Sequence, residues 1–181
     1  MVDAIIGGYQ GLEIAMLRWG LVPFGWKRSL SKLPSTHVAR SETADKDRMF
    51  RHAYGNYRCL VPASGFYKRT RGRSETQTSY IRMTDGSPMT FAGLWEDWHE
   101  EVTDQRFRTC TILTTVANRL MKSFDRRMPV ILTENRAQLW LQGGYRSLLN
   151  ACPSDLLTAH QVNDAVWNME SGGADLLQPV T

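Results

Sequence analysis

The chain has 181 residues, of which 42% are hydrophobic and 22% charged, and its formal net charge is +4. These proportions are those of one globular domain and exclude disorder, collagen and coiled coil. The longest uncharged apolar runs, Gly20–Gly25 and Met128–Thr133, fall far short of the roughly 20 residues that a membrane span needs, and Met1-Val2-Asp3-Ala4 shows no secretory pattern, so a cytoplasmic protein is expected.

In chain order, the run Leu12–Leu17, apolar except for Glu13, predicts a strand. Next comes Arg18-Trp19-Gly20-Leu21-Val22-Pro23-Phe24-Gly25-Trp26-Lys27-Arg28, where Gly and Pro argue for a rigid loop. Ala44–Tyr54 carries Met49, Phe50, Ala53 and Tyr54 on one helical stripe. Arg58–Val61, Ser79–Met83 and Met89–Leu94 read as strands, and Asp85-Gly86 as a hairpin turn. The polar run Arg69–Gln77 predicts an exposed basic loop, and Trp95–Arg106 an exposed acidic one. Thr109–Thr114 and Pro129–Leu132 are further strands, separated by a helical stripe of Val116, Leu120, Met121 and Phe124 over Thr115–Phe124. Glu134–Gln142 predicts a helix, with Thr133 as N-cap and Gly143-Gly144 as its stop. Pro153–Ala159 predicts a last short helix. Strands outnumber helices and several connections are too short for a parallel crossover. The expectation is a single α+β domain over 1–181, with a curved, mostly antiparallel, barrel-like sheet and a few flanking helices.

The charge is unevenly spread. Arg18–Arg82 holds 14 Lys or Arg against 4 Asp or Glu, whereas the rest of the chain sums to −6. Of the 22 basic residues 17 are Arg, whose planar fork pairs phosphate oxygens and stacks on bases. This points to an anion-binding face and to nucleic acid, the plain alternative being a solvated basic surface. Trp19, Phe24 and Trp26 between cations suit an unpaired strand, whose bases stack on rings while Arg and Lys hold phosphates; the alternative is that both Trp anchor the core.

Cys59, Cys110 and Cys152 are odd in number and widely spaced, so neither a disulfide framework nor a zinc site is indicated, and no cofactor is expected. Arg58 beside Cys59 would favour a nucleophilic thiolate, whereas the strand context favours a buried structural thiol.

Six ordered segments resemble the SOS response-associated peptidase (SRAP) family: RWGLVPFGW at Arg18–Trp26, ARSET at Ala39–Thr43, RCLVPASGFY at Arg58–Tyr67, FAGLWE at Phe91–Glu96, TILTTVAN at Thr111–Asn118 and RMPVIL at Arg127–Leu132. The resemblance implies a compact mixed domain that binds single-stranded DNA across a basic cleft. It also implies suicide chemistry at abasic sites. A cysteine at position two offers an α-amine and a thiol, which together capture the sugar aldehyde as a thiazolidine. An Asn, a Glu and a His orient the groups and move protons.

The chain departs from that pattern at each such position. Residue two is Val2, and relative to the family the chain starts late, without the strand that carries the Cys. Val38 stands for the Asn, Lys68 for the Glu and Asp125 for the His. By resemblance, Trp19, Pro23 and Trp26 form the loop that wedges against bases and Arg40 pairs phosphate; Arg69, Arg71 and Arg73, in a loop that the family does not strongly pattern, are expected to extend the phosphate track. The expected function is therefore single-stranded or abasic DNA binding by a monomer in the DNA-damage (SOS) response, with cross-linking and self-processing lost. Lys68 and Asp125 are expected either to form an ion pair in place of the acid–base pair or to leave Lys68 free to attack an aldehyde. A thiol hydrolase acting through Cys59 and a pure protein-interaction module are the alternatives.

Overall fold

The computed structural model describes residues 1–8, 11–71, 76–100, 104–144, 146–168 and 173–180. The order of elements is β1 (Val2–Gly8), β2 (Gly11–Trp19), β3 (Val38–Arg40), α1 (Arg51–Asn56), β4 (Arg58–Ala63), β5 (Phe66–Arg71), β6 (Thr76–Met83), β7 (Met89–Glu100), β8 (Gln105–Val116), β9 (Arg127–Pro129), α2 (Glu134–Leu141) and β10 (Leu157–Val162), with short 3-10 turns between some of them. Five strands in the spatial order β2-β1-β4-β7-β8 close into a barrel, because β2 pairs β8 at Arg18–Thr109 and Trp19–Cys110. β3 continues along β8 in parallel, with Val38 opposite Ile112 and Arg40 opposite Thr114. β9 pairs antiparallel to the end of β8, and β10-β6-β5 form a separate antiparallel sheet. The expected α+β class with a curved, mostly antiparallel sheet is what the chain adopts.

Alternation along the strands builds two apolar cores. Cys59 and Val61 of β4 join Leu17, Phe91 and Trp95 in one. Leu60 faces the other way and joins Leu94, Leu113, Val130 and Trp140 under the helices. The absent side chain at Gly93 lets β7 lie close to β4, since a Cβ there would stand 2.6 Å from the Cys59 sulfur.

Five expectations are corrected. Trp95–Arg106 is not a loop: β7 runs to Glu100 and β8 begins at Gln105, because Trp95, Glu96 and Trp98 are buried. Thr115–Phe124 is not a helix, since β8 extends to Val116 to pair Arg127 and only Met121–Ser123 turns. Pro153–Ala159 forms one 3-10 turn and then β10, which takes the free edge of β6. The basic stretch Arg69–Gln77 is largely a hairpin of β5 and β6, with Arg71 opposite Thr76, and residues 72–75 lie outside the described ones. The helix expected over Ala44–Tyr54 is confined to α1, after a run of turns.

Candidate functional site

A cleft of about 780 Å³ opens where the end of β2, β3, β5 and the approach to β9 meet. Trp19 stands at it, 44% exposed, its indole N–H donating to the His37 carbonyl at 2.7 Å. Val38 comes from β3, Lys68 from β5 and Asp125 from the turn before β9. Val2, Phe66, Phe91, Met128 and Trp167 supply apolar wall. Four of the residues singled out in the sequence, Trp19, Val38, Lys68 and Asp125, therefore share one concavity.

Lys68 Nζ donates to Asp125 Oδ2 at 2.5 Å, with side chains 27% and 41% exposed. The ion pair expected from the two substitutions is present. Burial alone would raise the Asp125 carboxyl, but the Lys68 bond and the Arg127 backbone N–H outweigh it and hold the group below the ordinary carboxylate range. Beside it Arg127 grips Glu42 through both carboxylate oxygens, at 3.2 and 2.7 Å, and also donates to the Thr114 hydroxyl and carbonyl at 3.0 and 2.6 Å. The Glu42 carboxyl is likewise lowered: burial opposes the shift, and the Arg127 bond and charge outweigh it. Two motif residues 85 positions apart are thus clamped together, and the Arg127 of that pair lines the cleft.

These carboxyls fix a pH dependence. Both stay ionised in the folded protein at a pH where the unfolded chain takes up protons, so their stabilisation is complete above the carboxylate range and falls away as pH drops through it. Glu96 acts in the opposite sense: burial raises its carboxyl, against bonds from the His52 ring and the Phe24 backbone N–H. Asp125→Asn is expected to flatten the fall of melting temperature below about pH 5. Thermal melts of both proteins from neutral to acid pH check this.

The remaining candidates divide. Val38 and Arg40 share the exposed face of β3, so Arg40 stands one strand pleat from the cleft. Pro23 is buried and shapes its loop from within, its carbonyl accepting the Trp26 N–H at 3.1 Å. Trp26 is half-buried and lines a different cleft, with Phe24, Lys27, Arg28 and Trp98. Arg69 is exposed and pairs Asp164 at 2.9 Å, bracing the turn that carries Trp167. Arg71 ends β5, and Arg73 lies outside the described residues. Cys59 is fully buried against Cys110, and burial pushes its thiol well above the ordinary range. The strand reading of that residue holds, and a thiol nucleophile at Cys59 is corrected. Cys110 and Cys152 are also buried, pushed up to about 12 and about 11.

The sequence reading missed Trp167 as a wall of the cleft and the staple behind the aromatic loop. Phe24, 68% exposed, stacks on His52 at 4.2 Å and 19°. The His52 Nδ1 lies 2.8 Å from the Glu96 carboxylate, which is 1% exposed. No local pattern pointed to the partnership of His52 and Glu96; only the burial of Glu96 in β7 reveals it.

The family model described as SOS response associated peptidase (SRAP) matches residues 3–169. The abasic site processing protein YoaM of Bacillus subtilis (strain 168) is 34% identical over 183 residues, covering 96% of this chain and 79% of that protein. The abasic site processing protein YedK of Escherichia coli (strain K12) is 27% identical over 178 residues, covering 94% of this chain and 77% of that one. A crystal structure from Bordetella bronchiseptica superposes with a TM-score of 0.82 at 28% identity, covering 90% of this chain and 84% of that chain. One from Bacteroides thetaiotaomicron reaches 0.88 at 24% identity, covering 98% and 80%, a likeness of fold alone.

Proposed function

Because the chain belongs to the SOS response-associated peptidase family, we propose that it grips an unpaired DNA strand, abasic or intact, at the cleft of Trp19, and does so without the family's cysteine cross-linking. It acts as a cytoplasmic monomer in the response to DNA damage. The observation that carries this reading is that the three positions where the resemblance calls for Asn, Glu and His meet in one cleft as Val38, Lys68 and Asp125. A valine offers no donor or acceptor to orient an amine or hold a leaving hydroxyl. A cation bonded to a carboxylate stands where the resemblance calls for the Glu and His of thiazolidine closure. What remains suits binding: an exposed indole for a base, apolar walls for the sugar, and Arg40 on the adjoining strand face for phosphate.

The test is incubation with a single-stranded oligonucleotide carrying one abasic site, followed by heat and a denaturing gel, beside anisotropy titration of the intact strand. The expected result is binding in the titration and no heat-stable adduct. An adduct that survives heat and hydrolysis would overturn the loss of cross-linking, and absence of binding would overturn the DNA reading.

A further inference from the structure

We propose that Lys68 is an aldehyde-capturing amine, and that this cleft opens the abasic sugar by reversible Schiff-base chemistry with Asp125 as its proton partner. The inference rests on the DNA-binding reading above and adds a chemistry to it. Three features of the cleft carry it. Lys68 is a primary amine inside the concavity, on a strand whose backbone is fixed by pairing Lys68 with Ser79. Its Nζ is 2.5 Å from a carboxylate, close enough to hand over a proton directly. The surroundings are mostly apolar: Val2, Val38, Phe66, Phe91, Ile112, Met128 and Trp167.

Those walls matter to the reaction: once a strand covers the cleft, they keep bulk water from the bond that forms at Lys68. Arg127 does not compete for Asp125 through its side chain, which is committed to Glu42 and Thr114.

The steps balance without any oxidant or reductant. Asp125 takes a proton from Lys68, and the free amine adds to C1′ of the ring-opened deoxyribose. Asp125 returns the proton to the new hydroxyl, which leaves as water and gives an iminium. Loss of a C2′ proton to Asp125 and cleavage of the C3′–O bond expel the downstream strand with its phosphate. Water then hydrolyses the conjugated imine, restoring Lys68 and releasing the unsaturated aldehyde. The adduct is transient, which is consistent with no heat-stable cross-link.

The experiment traps the iminium. Full-length protein is mixed with an abasic single-stranded oligonucleotide and sodium borohydride, and the reduced adduct is digested and mapped by mass spectrometry. Binding of the intact oligonucleotide is titrated in parallel. The expected result is an adduct on the peptide containing Lys68, lost in Lys68→Arg, which keeps the charge but forms no such imine. Cleavage at the abasic site without borohydride is expected from the wild type, slowed at least tenfold in Asp125→Asn. An adduct on the Met1 α-amine instead of Lys68, or equal trapping in Lys68→Arg, overturns the assignment. Binding with no adduct overturns the Lys68 chemistry and leaves the DNA reading standing. Neither binding nor adduct overturns both. The map of the wild-type adduct does not depend on any variant folding.

Discussion

Trp140→Ala is expected to destabilise the fold by about 3–5 kcal/mol, the largest loss of any single truncation considered. Trp140 lies in α2, is 0% exposed, and fills the second core between the helix and strands β4 and β7. Its indole N–H is shared by the carbonyls of Cys59 and Gly93, at 3.2 and 3.3 Å, which are paired residues of adjacent strands. The Arg58 guanidinium lies 4.6 Å from its ring centre, and Tyr54 meets it edge-on at 5.9 Å. Removing the ring therefore leaves a cavity, strips a donor from two strand carbonyls and unseats the half-buried Arg58. Against a total stability of roughly 5–15 kcal/mol this is a large share, and the melting temperature should fall by roughly 6–20 °C. Trp140→Phe separates the terms, keeping most of the volume and losing only the N–H, for about 1–2 kcal/mol. Urea titrations of the three proteins check both figures. A midpoint for Trp140→Ala close to that of Trp140→Phe would show that packing is not what the indole supplies.

The contrast between elements that were legible and those that were not has a physical basis. Leu12–Leu17 and Ser79–Met83 were visible because short runs rich in apolar and aromatic residues read as strands, although Leu12, Ile14 and Met16 are exposed and Thr78–Ile81 is buried on both faces. β7 defeated that rule beyond Leu94. Trp95, Glu96 and Trp98 are all buried, and a carboxylate in that run reads as loop unless its partner is known. The partner is His52, 44 residues earlier. The stripe Val116, Leu120, Met121 and Phe124 has helical spacing, yet pairing of Val116 with Arg127 and an Asn118 cap on the Met121 N–H decide otherwise. Here long-range pairing overrides local propensity. β10 has the same cause: its pattern is weak, and the open edge of β6 selects it.

The site divides along the same line. Trp19 and the cationic stretch were readable as chemistry because rings and guanidinium groups carry their function in their type. That Val38, Lys68 and Asp125 face one space was not readable from spacing, since Lys68 and Asp125 are 57 positions apart. Only the likeness of whole motifs brought them together. Trp167 left no signal at all; it reaches the cleft because its N–H bonds the Thr78 hydroxyl and because Asp164, three residues before it, is held by Arg69 and Thr78. The same likeness grouped Trp26 with Trp19, whereas the turn at Pro23–Trp26 sends the second indole into another cleft. A motif preserves the order of residues, but the face each one takes depends on what packs beneath it.

Affinity for a single-stranded oligonucleotide is expected to fall roughly 20- to 50-fold between 50 and 200 mM salt, the slope for about three or four phosphates neutralised on a single strand. Arg40 is an exposed cation on the cleft side of the fold and has no ion-pair partner among the described residues. Arg69, by contrast, must first give up Asp164, so its contribution is smaller. Arg40→Ala should therefore reduce the salt slope by about 0.7, while Arg69→Ala changes it less. Trp19 acts through a different force. Stacking one base is worth about 1–3 kcal/mol, so Trp19→Ala should weaken binding roughly 5- to 150-fold with the slope unchanged. Trp19→Phe gives up the bond to the His37 carbonyl but keeps a ring, and should recover most of that affinity. Anisotropy titrations at four salt concentrations separate the two contributions, since charge appears in the slope and stacking in the intercept. A flat salt dependence, or equal affinity for Trp19→Ala and the wild type, would mean that the strand does not lie across this cleft.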